Sequence, residues 1–341
     1  MIIDRKICVL LALLTTVSLA VQAEIYDLPL AGNDVIGAIT VVPARAEDTL
    51  LDIARRHGLG YEDIVRANPD VDTWLPGEGT EVVLPTRFVL PPGPRRGIIL
   101  NLAEYRLYYF PEPAKGEHGV VMTYPMSIGR MDWETPLGRT TVISKVTDPS
   151  WYPPESIRAE HAADGDPLPR IVPAGPKNPL GRHAMRLGLP GYLIHGTNRQ
   201  AGVGMRVTHG CVRMFPEDID YLFGQVALNT PVRIINEPVK LGWDGDMLVM
   251  EAHPALDIAA PPEPDETTKV AENQAAEAAQ DLPTVPRDRM TYLTEQYIGV
   301  TASRAGELDW DLAEGLLDAA DGIPASVGRA IKNAATSAAS E

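Results

Sequence analysis

A thiol, two imidazoles and a guanidinium fall close together in this chain, at Cys211, His195, His209 and Arg213, among Gly191, Gly196 and Gly210. A thiol beside an imidazole is a minimal kit for covalent acyl transfer, because the thiolate attacks and a base must create it. Such a base has to lie within hydrogen-bond reach and keep the sulfur ionised at a solvent-accessible rim. His195 ends the short apolar run from Tyr192 and is the first candidate, since the loop Gly196 to Arg206 can fold back to set it beside Cys211. His209 precedes Cys211 by two residues, which puts both on one side of extended backbone. Gly210 allows a tight turn between them, and the Gly210 and Cys211 amides can form an oxyanion hole. Arg213 alternates to the face of the thiol, where a guanidinium can hold a carboxylate through two bonds.

Two other readings use the same residues. His195, His209 and Cys211 amount to the three ligands of a catalytic zinc site, although their spacing matches no metal pattern and zinc would blunt the thiolate. A lone cysteine can also be small apolar filler. His57, His118, His161, His183 and His253 stand by themselves and read as surface or packing residues.

The 341 residues leave room for about two or three domains. A net charge of −16 excludes nucleic acid as a partner and gives no polybasic grip on anionic lipid. Arg5 and Lys6, the apolar run from Ile7 and the small-residue site Val21-Gln22-Ala23 form a secretory signal peptide over 1–23. That run is short for a membrane span, and no later segment is apolar enough, so no stable membrane insertion follows cleavage. Cys8 leaves with the signal, making Cys211 the exported protein's single thiol in a compartment that favours paired ones.

The elements that must position these groups follow in order. After a polar lead, 38–86 reads as strand, helix, helix, strand, with Thr49 and Asp52 at capping-box spacing and Asn68-Pro69 ending the second helix. The segment 87–95, with Pro91, Pro92, Gly93 and Pro94, is a stiff linker. Residues 96–238 are dominated by short strands with glycine and proline punctuation, including a hairpin over 97–110. The expected fold class is a mainly β catalytic domain, sandwich- or barrel-like, with one packed helix over Pro216 to Val226. It is joined by the small βααβ module and a helical C-terminal tail. The stretch 148–179 lacks any period and is long enough to be a lid. Residues 239–260 extend the catalytic domain, 261–287 form a disordered acidic linker, and 288–341 form the helical tail.

The region 96–238 resembles the YkuD-type L,D-transpeptidase family, of the periplasmic branch with an N-terminal LysM module. The resemblance rests on His195-Gly196-Thr197 and Thr208-His209-Gly210-Cys211-Val212-Arg213, supported by Tyr124-Pro125, Ile128-Gly129, Thr135-Pro136-Leu137-Gly138 and Gly175 to Gly181. Thr208 stands where serine is more usual. The segment 38–86 resembles LysM through Asp48-Thr49-Leu50, Ile53-Ala54, Ile64, Ala67-Asn68 and Leu84-Pro85. The resemblance implies a periplasmic enzyme acting on peptidoglycan stem peptides and glycan strands. Cys211 would form a thioester with a tetrapeptide stem, releasing D-alanine, and pass the acyl group to another stem's diaminopimelate or to an outer-membrane lipoprotein lysine. It implies His195 as base, His209 as pocket-shaping or assisting, and Arg213, Gly196, Thr197, Thr208 and Gly210 around the substrate, with no cofactor and no metal. A hydrolase on the same thiol and a non-catalytic wall-binding protein are the competing classes. A weak glycan reader tethered by a short linker would raise the local concentration of stems.

Overall fold

The computed structural model describes residues 24–131, 133–256 and 288–331. The expected leader at 1–23 and the expected acidic linker at 261–287 lie outside the described residues. The N-terminal part forms β1 (Glu24–Asp27), β2 (Val35–Gly37), β3 (Thr40–Pro43), α1 (Leu50–Arg56), α2 (Tyr61–Arg66), β4 (Glu81–Leu84) and β5 (Arg87–Val89). Thr49 and Asp52 cap α1 reciprocally, the Asp52 amide donating to Thr49 Oγ1 at 3.1 Å and the Thr49 amide to Asp52 Oδ2 at 3.0 Å. Asn68 stitches α2 to β4, its Nδ2 donating to Ile64 O and Val83 O and its Oδ1 accepting from the Val83 amide. Strands β3 and β4 pair antiparallel, so the strand–helix–helix–strand order read from 38–86 is present.

The central part continues with β6 (Gly97–Asn101), β7 (Arg106–Phe110), β8 (Val120–Pro125), β9 (Ile128–Gly129), β10 (Gly138–Thr147), α3 (Glu155–Ala163), β11 (His183–Leu187), β12 (Leu193–His195), β13 (Arg206–Thr208), β14 (Val212–Arg213), α4 (Pro216–Gln225) and β15 (Pro231–Ile235). A nine-stranded sheet runs β1-β8-β7-β6-β15-β10-β11-β12-β14, with the β13-β9 pair beside it. The polar lead is therefore partly an edge strand, since β1 pairs antiparallel with β8.

Strands β6 and β7 are apolar on both faces, and the packing explains why. Ile98, Leu100, Leu107 and Tyr109 join Ile194, Val212 and the α4 residues Ile219 and Leu222 in one core. Ile99, Tyr108 and Phe110 join Ile53, Ile64, Val82 and Leu84 of the N-terminal module in another. A sheet covered on both sides has no polar face to show in sequence. The module thus shares a core with the central sheet. The proline-rich 87–95 segment is correspondingly no free spacer: β5 pairs with β2, and Phe88, Val89 and Leu90 are buried.

The last part comprises β16 (Val239–Asp244), β17 (Met247–Ala252), α5 (Arg289–Thr301), β18 (Gly306–Leu308), α6 (Trp310–Ala319) and β19 (Ala325–Ala330). Its four-stranded sheet runs β16-β17-β19-β18 and packs on Tyr292, Leu293, Ala313 and Leu317. The expected tail is helical only in part. Val327 is buried while Ser326 and Arg329 are exposed, a strand alternation that alanine-rich composition conceals. Residues 239–252 belong to this unit rather than extending the central sheet. A buried ionic cluster ties the units together: Lys240 Nζ lies 2.5 Å from Glu104 Oε2 and 3.0 Å from Glu251 Oε1, and Glu251 Oε2 accepts the Val89 amide at 2.6 Å. His253, which reads as isolated in sequence, donates to this cluster through Nε2, 2.8 Å from Glu251 Oε1.

Candidate active site

Strands β12 and β14 lie parallel, with Ile194 opposite Val212 and His195 opposite Arg213. Ile194 and Val212 point into the core, so strand alternation puts His195 and Arg213 on the other face, with Cys211 two residues before Arg213. His195 is buried, and its Nδ1 sits 2.6 Å from the Gly196 carbonyl oxygen. A carbonyl only accepts, so Nδ1 carries the proton and Nε2 keeps its lone pair. Burial, with a further push from the Arg213 guanidinium, brings the His195 pKa down to about 3, and the ring is neutral.

The Cys211 thiol is partly exposed and donates to Gly191 O at 3.5 Å. Burial pushes its pKa up, against the Leu193 backbone hydrogen bond and the Arg213 charge, which both pull it down. The resting pair is therefore thiol and neutral imidazole. This corrects the expectation of a sulfur held ionised, because desolvation disfavours both charges of an ion pair. A neutral ring with a free Nε2 lone pair is able to accept a proton.

The turn carrying Cys211 is braced from behind. Thr208 Oγ1 donates to Cys211 O at 2.6 Å, and Thr135 Oγ1 donates to Gly210 O at 2.8 Å while accepting the Gly129 amide at 3.0 Å. Gly210 has φ +94°, and a Cβ there would lie 2.9 Å from Tyr192 Cε1. Among the described residues no hydrogen bond engages the Gly210 or Cys211 amide, so both are free to donate to a developing oxyanion.

Arg213 is partly buried, its Nε has no hydrogen-bond partner, and among the described residues it forms no ion pair. Its backbone exchanges hydrogen bonds with Ser127, at 2.8 and 3.0 Å. An unpaired guanidinium beside the thiol suits an incoming carboxylate.

Two of the remaining site residues act through the loop rather than at the sulfur. Thr197 Oγ1 accepts the Arg199 amide at 2.9 Å and shapes the turn after His195. Gly196 lets α4 approach, since a Cβ there would lie 3.1 Å from Ile219 Cγ2. His209 is committed elsewhere: its Nε2 lies 3.0 Å from Glu160 Oε2 on α3, and its ring meets Trp133 edge-on at 5.3 Å. Glu160 also takes Arg130 Nη2 at 2.6 Å. The zinc reading finds no support in this geometry. Among the described residues the one trio of possible ligands that converges is Glu104, Glu251 and His253, and Lys240 already supplies the cation there.

Residues 95–234 match the family model of the YkuD L,D-transpeptidase catalytic domain. The chain is 42% identical over 246 residues to the probable L,D-transpeptidase YcfS of Escherichia coli K12, covering 70% of this chain and 75% of that protein. The chain belongs to the YkuD family of L,D-transpeptidases. To the probable L,D-transpeptidase YbiS of the same strain it is 41% identical over 228 residues, 66% of this chain and 73% of that one. An L,D-transpeptidase structure from Mycobacterium smegmatis aligns with 46% of this chain and 74% of its own at 17% identity and a TM-score of 0.32, a partial likeness that adds nothing to the assignment.

Within this L,D-transpeptidase domain, sequence reasoning missed Glu160 and the bracing role of Thr135. Helix α3 buries only Ile157, so the segment around Glu160 carries no helical period to find. Thr135 stands in a turn motif whose sequence announces the turn and not the distant carbonyl it holds.

Proposed function

We propose that this L,D-transpeptidase is a periplasmic cysteine acyltransferase on peptidoglycan stem peptides, with Cys211 as nucleophile, His195 as general base and Arg213 as carboxylate clamp. The observation that carries the reading is the β12–β14 pairing that sets His195 opposite Arg213, with Cys211 on the turn directly before β14 and two free amides there.

The step balances without a cofactor. Cys211 Sγ attacks the carbonyl between diaminopimelate and terminal D-alanine while its proton passes to His195 Nε2. The tetrahedral oxyanion takes the Gly210 and Cys211 amides. The C–N bond breaks, His195 returns the proton to the departing amine, and D-alanine leaves a thioester on Cys211. An acceptor amine, from a second stem or a lipoprotein lysine, attacks the thioester and gives its proton to His195. The thiol reforms as the new amide closes, so the energy of the broken bond is kept.

The 38–86 module is read as a LysM glycan reader. An open groove of about 680 Å³, bordered by Val42, Arg45, Glu47, Arg56, His57 and Glu78, supplies a surface for a glycan strand. No described helix is long and apolar enough to cross a membrane.

Incubation of the purified chain with disaccharide-tetrapeptide monomers, read by mass, tests this. A cross-linked dimer with loss of D-alanine is expected, and Cys211→Ala abolishes it. Shortened stems with no dimer would replace transfer by hydrolysis. Product formed undiminished by Cys211→Ala would sink the assignment altogether.

A further inference from the structure

Helix α1 carries two consecutive arginines that serve different neighbours. Arg56 grips Asp48 through two bonds, at 2.7 and 2.6 Å, within the module and beside its open groove. Arg55 crosses to the central domain. Its Nε and Nη2 fork onto Glu217 of α4 at 2.6 and 2.8 Å, and its Nη1 donates to Gln200 Oε1. The guanidinium also lies over Phe215, 5.4 Å from the ring centre.

Gln200 belongs to the loop that joins His195 to β13 and so to Cys211. The module meets that loop again through its backbone, the Tyr61 amide donating to Val203 O at 3.0 Å and the Glu62 amide to Gly204 O at 3.4 Å. This approach tolerates no side chain. A Cβ on Gly60 would lie 2.7 Å from Gly204 Cα, and one on Gly204 would lie 2.4 Å from the Tyr61 nitrogen. On its inner side the same loop reaches the site: Gly202 O accepts Ser127 Oγ at 2.7 Å, Ser127 is bonded to the Arg213 backbone, and a Cβ on Gly202 would lie 4.0 Å from Arg213 Nη1.

We propose that the 38–86 module buttresses the acyl-transfer site from behind its 196–206 loop, and that Arg55 is a positioning residue through which it sets that loop. This rests on the reading of Cys211 as the nucleophile. Arg55 touches no reacting atom. It holds the loop that follows His195 directly and reaches the Arg213 backbone through Gly202 and Ser127, and side-chain groups misplaced by a fraction of an ångström lose catalytic power steeply. A module held in this way cannot swing on a tether, so any glycan in its groove has a fixed orientation to the thiol.

The experiment uses the full chain and the disaccharide-tetrapeptide monomer, with D-alanine release as the rate. In Arg55→Lys the ammonium can still pair with Glu217 but cannot fork to Gln200 as well. In Gln200→Ala the same link is cut from the other side. In Gly60→Ala, where φ is −93° and alanine is unstrained, the methyl group wedges module from loop. Each is expected to lower kcat by about tenfold with Cys211 alkylation by iodoacetamide unchanged; Tm stays near wild type in Arg55→Lys and Gln200→Ala and falls in Gly60→Ala, where the methyl meets backbone. The Arg55→Lys and Gln200→Ala losses should merge in the double variant, because both break one contact.

Wild-type rates in folded Arg55→Lys and Gln200→Ala overturn the inference while leaving the proposed chemistry intact. So do losses that simply add. A wild-type chain that forms no Cys211 thioester overturns both readings together.

Discussion

At the scale of single residues, the proposed nucleophile and base are both uncharged at rest. Burial raises the Cys211 pKa and lowers that of His195 to about 3. An imidazolium–thiolate pair would react with alkylating agents at mildly acid pH. The neutral pair predicts the opposite: the rate of Cys211 modification by iodoacetamide climbs with pH through the alkaline range, with no plateau between pH 5 and 8 set by a pre-formed thiolate. A flat, fast rate at acid pH would refute the neutral pair. His195→Gln, which keeps a buried neutral amide but no base, is expected to lower acyl transfer by about 10²–10⁴-fold, measured as D-alanine release. The candidates themselves come from the sequence, because thiol, imidazole and guanidinium chemistry is written in residue type and spacing. Their protonation was not, since it depends on how deeply the sheet buries His195, and no local pattern encodes that.

Elements were legible where they carry a period. Helix α4 buries Ile219 and Leu222 at helical spacing and ends within a residue of the span that spacing predicts, whereas α3 lacks an apolar stripe and its stretch reads as an aperiodic lid segment. Helix α4 also holds an unexpected group. Asp218 in its first turn is buried, its Oδ2 has no hydrogen-bond partner, and burial, reinforced by the Glu217 charge, raises its pKa to about 8. The folded state thus binds this proton where the unfolded chain, titrating near the ordinary carboxyl value of about 4, has released it. Stability from this group is present below about pH 4 and is lost as pH rises through about 8. Asp218→Asn removes the titration, so its Tm should match wild type at pH 4 and exceed it at pH 8; equal differences at both would contradict the buried acid. The Glu160 contact gives a second expectation at this scale. Glu160 joins α3 to both Arg130 and His209. Glu160→Gln should leave Tm unchanged yet speed amide exchange across 155–163, and protection equal to wild type would show that the contact does not hold α3.

At the scale of the molecule, three units are joined by buried contacts rather than strung on linkers. The sequence suggested beads, because proline at 91, 92 and 94 reads as a spacer and alanine-rich composition at the end reads as loose helix. It could not show that Ile99, Tyr108 and Phe110 face the module, nor that Lys240 would meet Glu104 and Glu251 across units. That cluster should decide whether the C-terminal unit unfolds with the rest. Lys240 is wholly buried between two carboxylates, and removing its charge leaves them facing each other away from water. Breaking a buried pair from one side typically costs about 3–5 kcal/mol, while replacing both partners with neutral groups costs much less. Lys240→Met is therefore expected to lower Tm by several degrees and to split the transition, with the C-terminal unit melting first. Adding Glu104→Gln should recover part of the loss, because Glu251 then keeps the Val89 amide and His253 as partners. If Glu104→Gln instead deepens the loss, the cluster is stabilised by Glu104 through Tyr108, whose hydroxyl donates to it at 2.8 Å, more than by its pairing with Lys240.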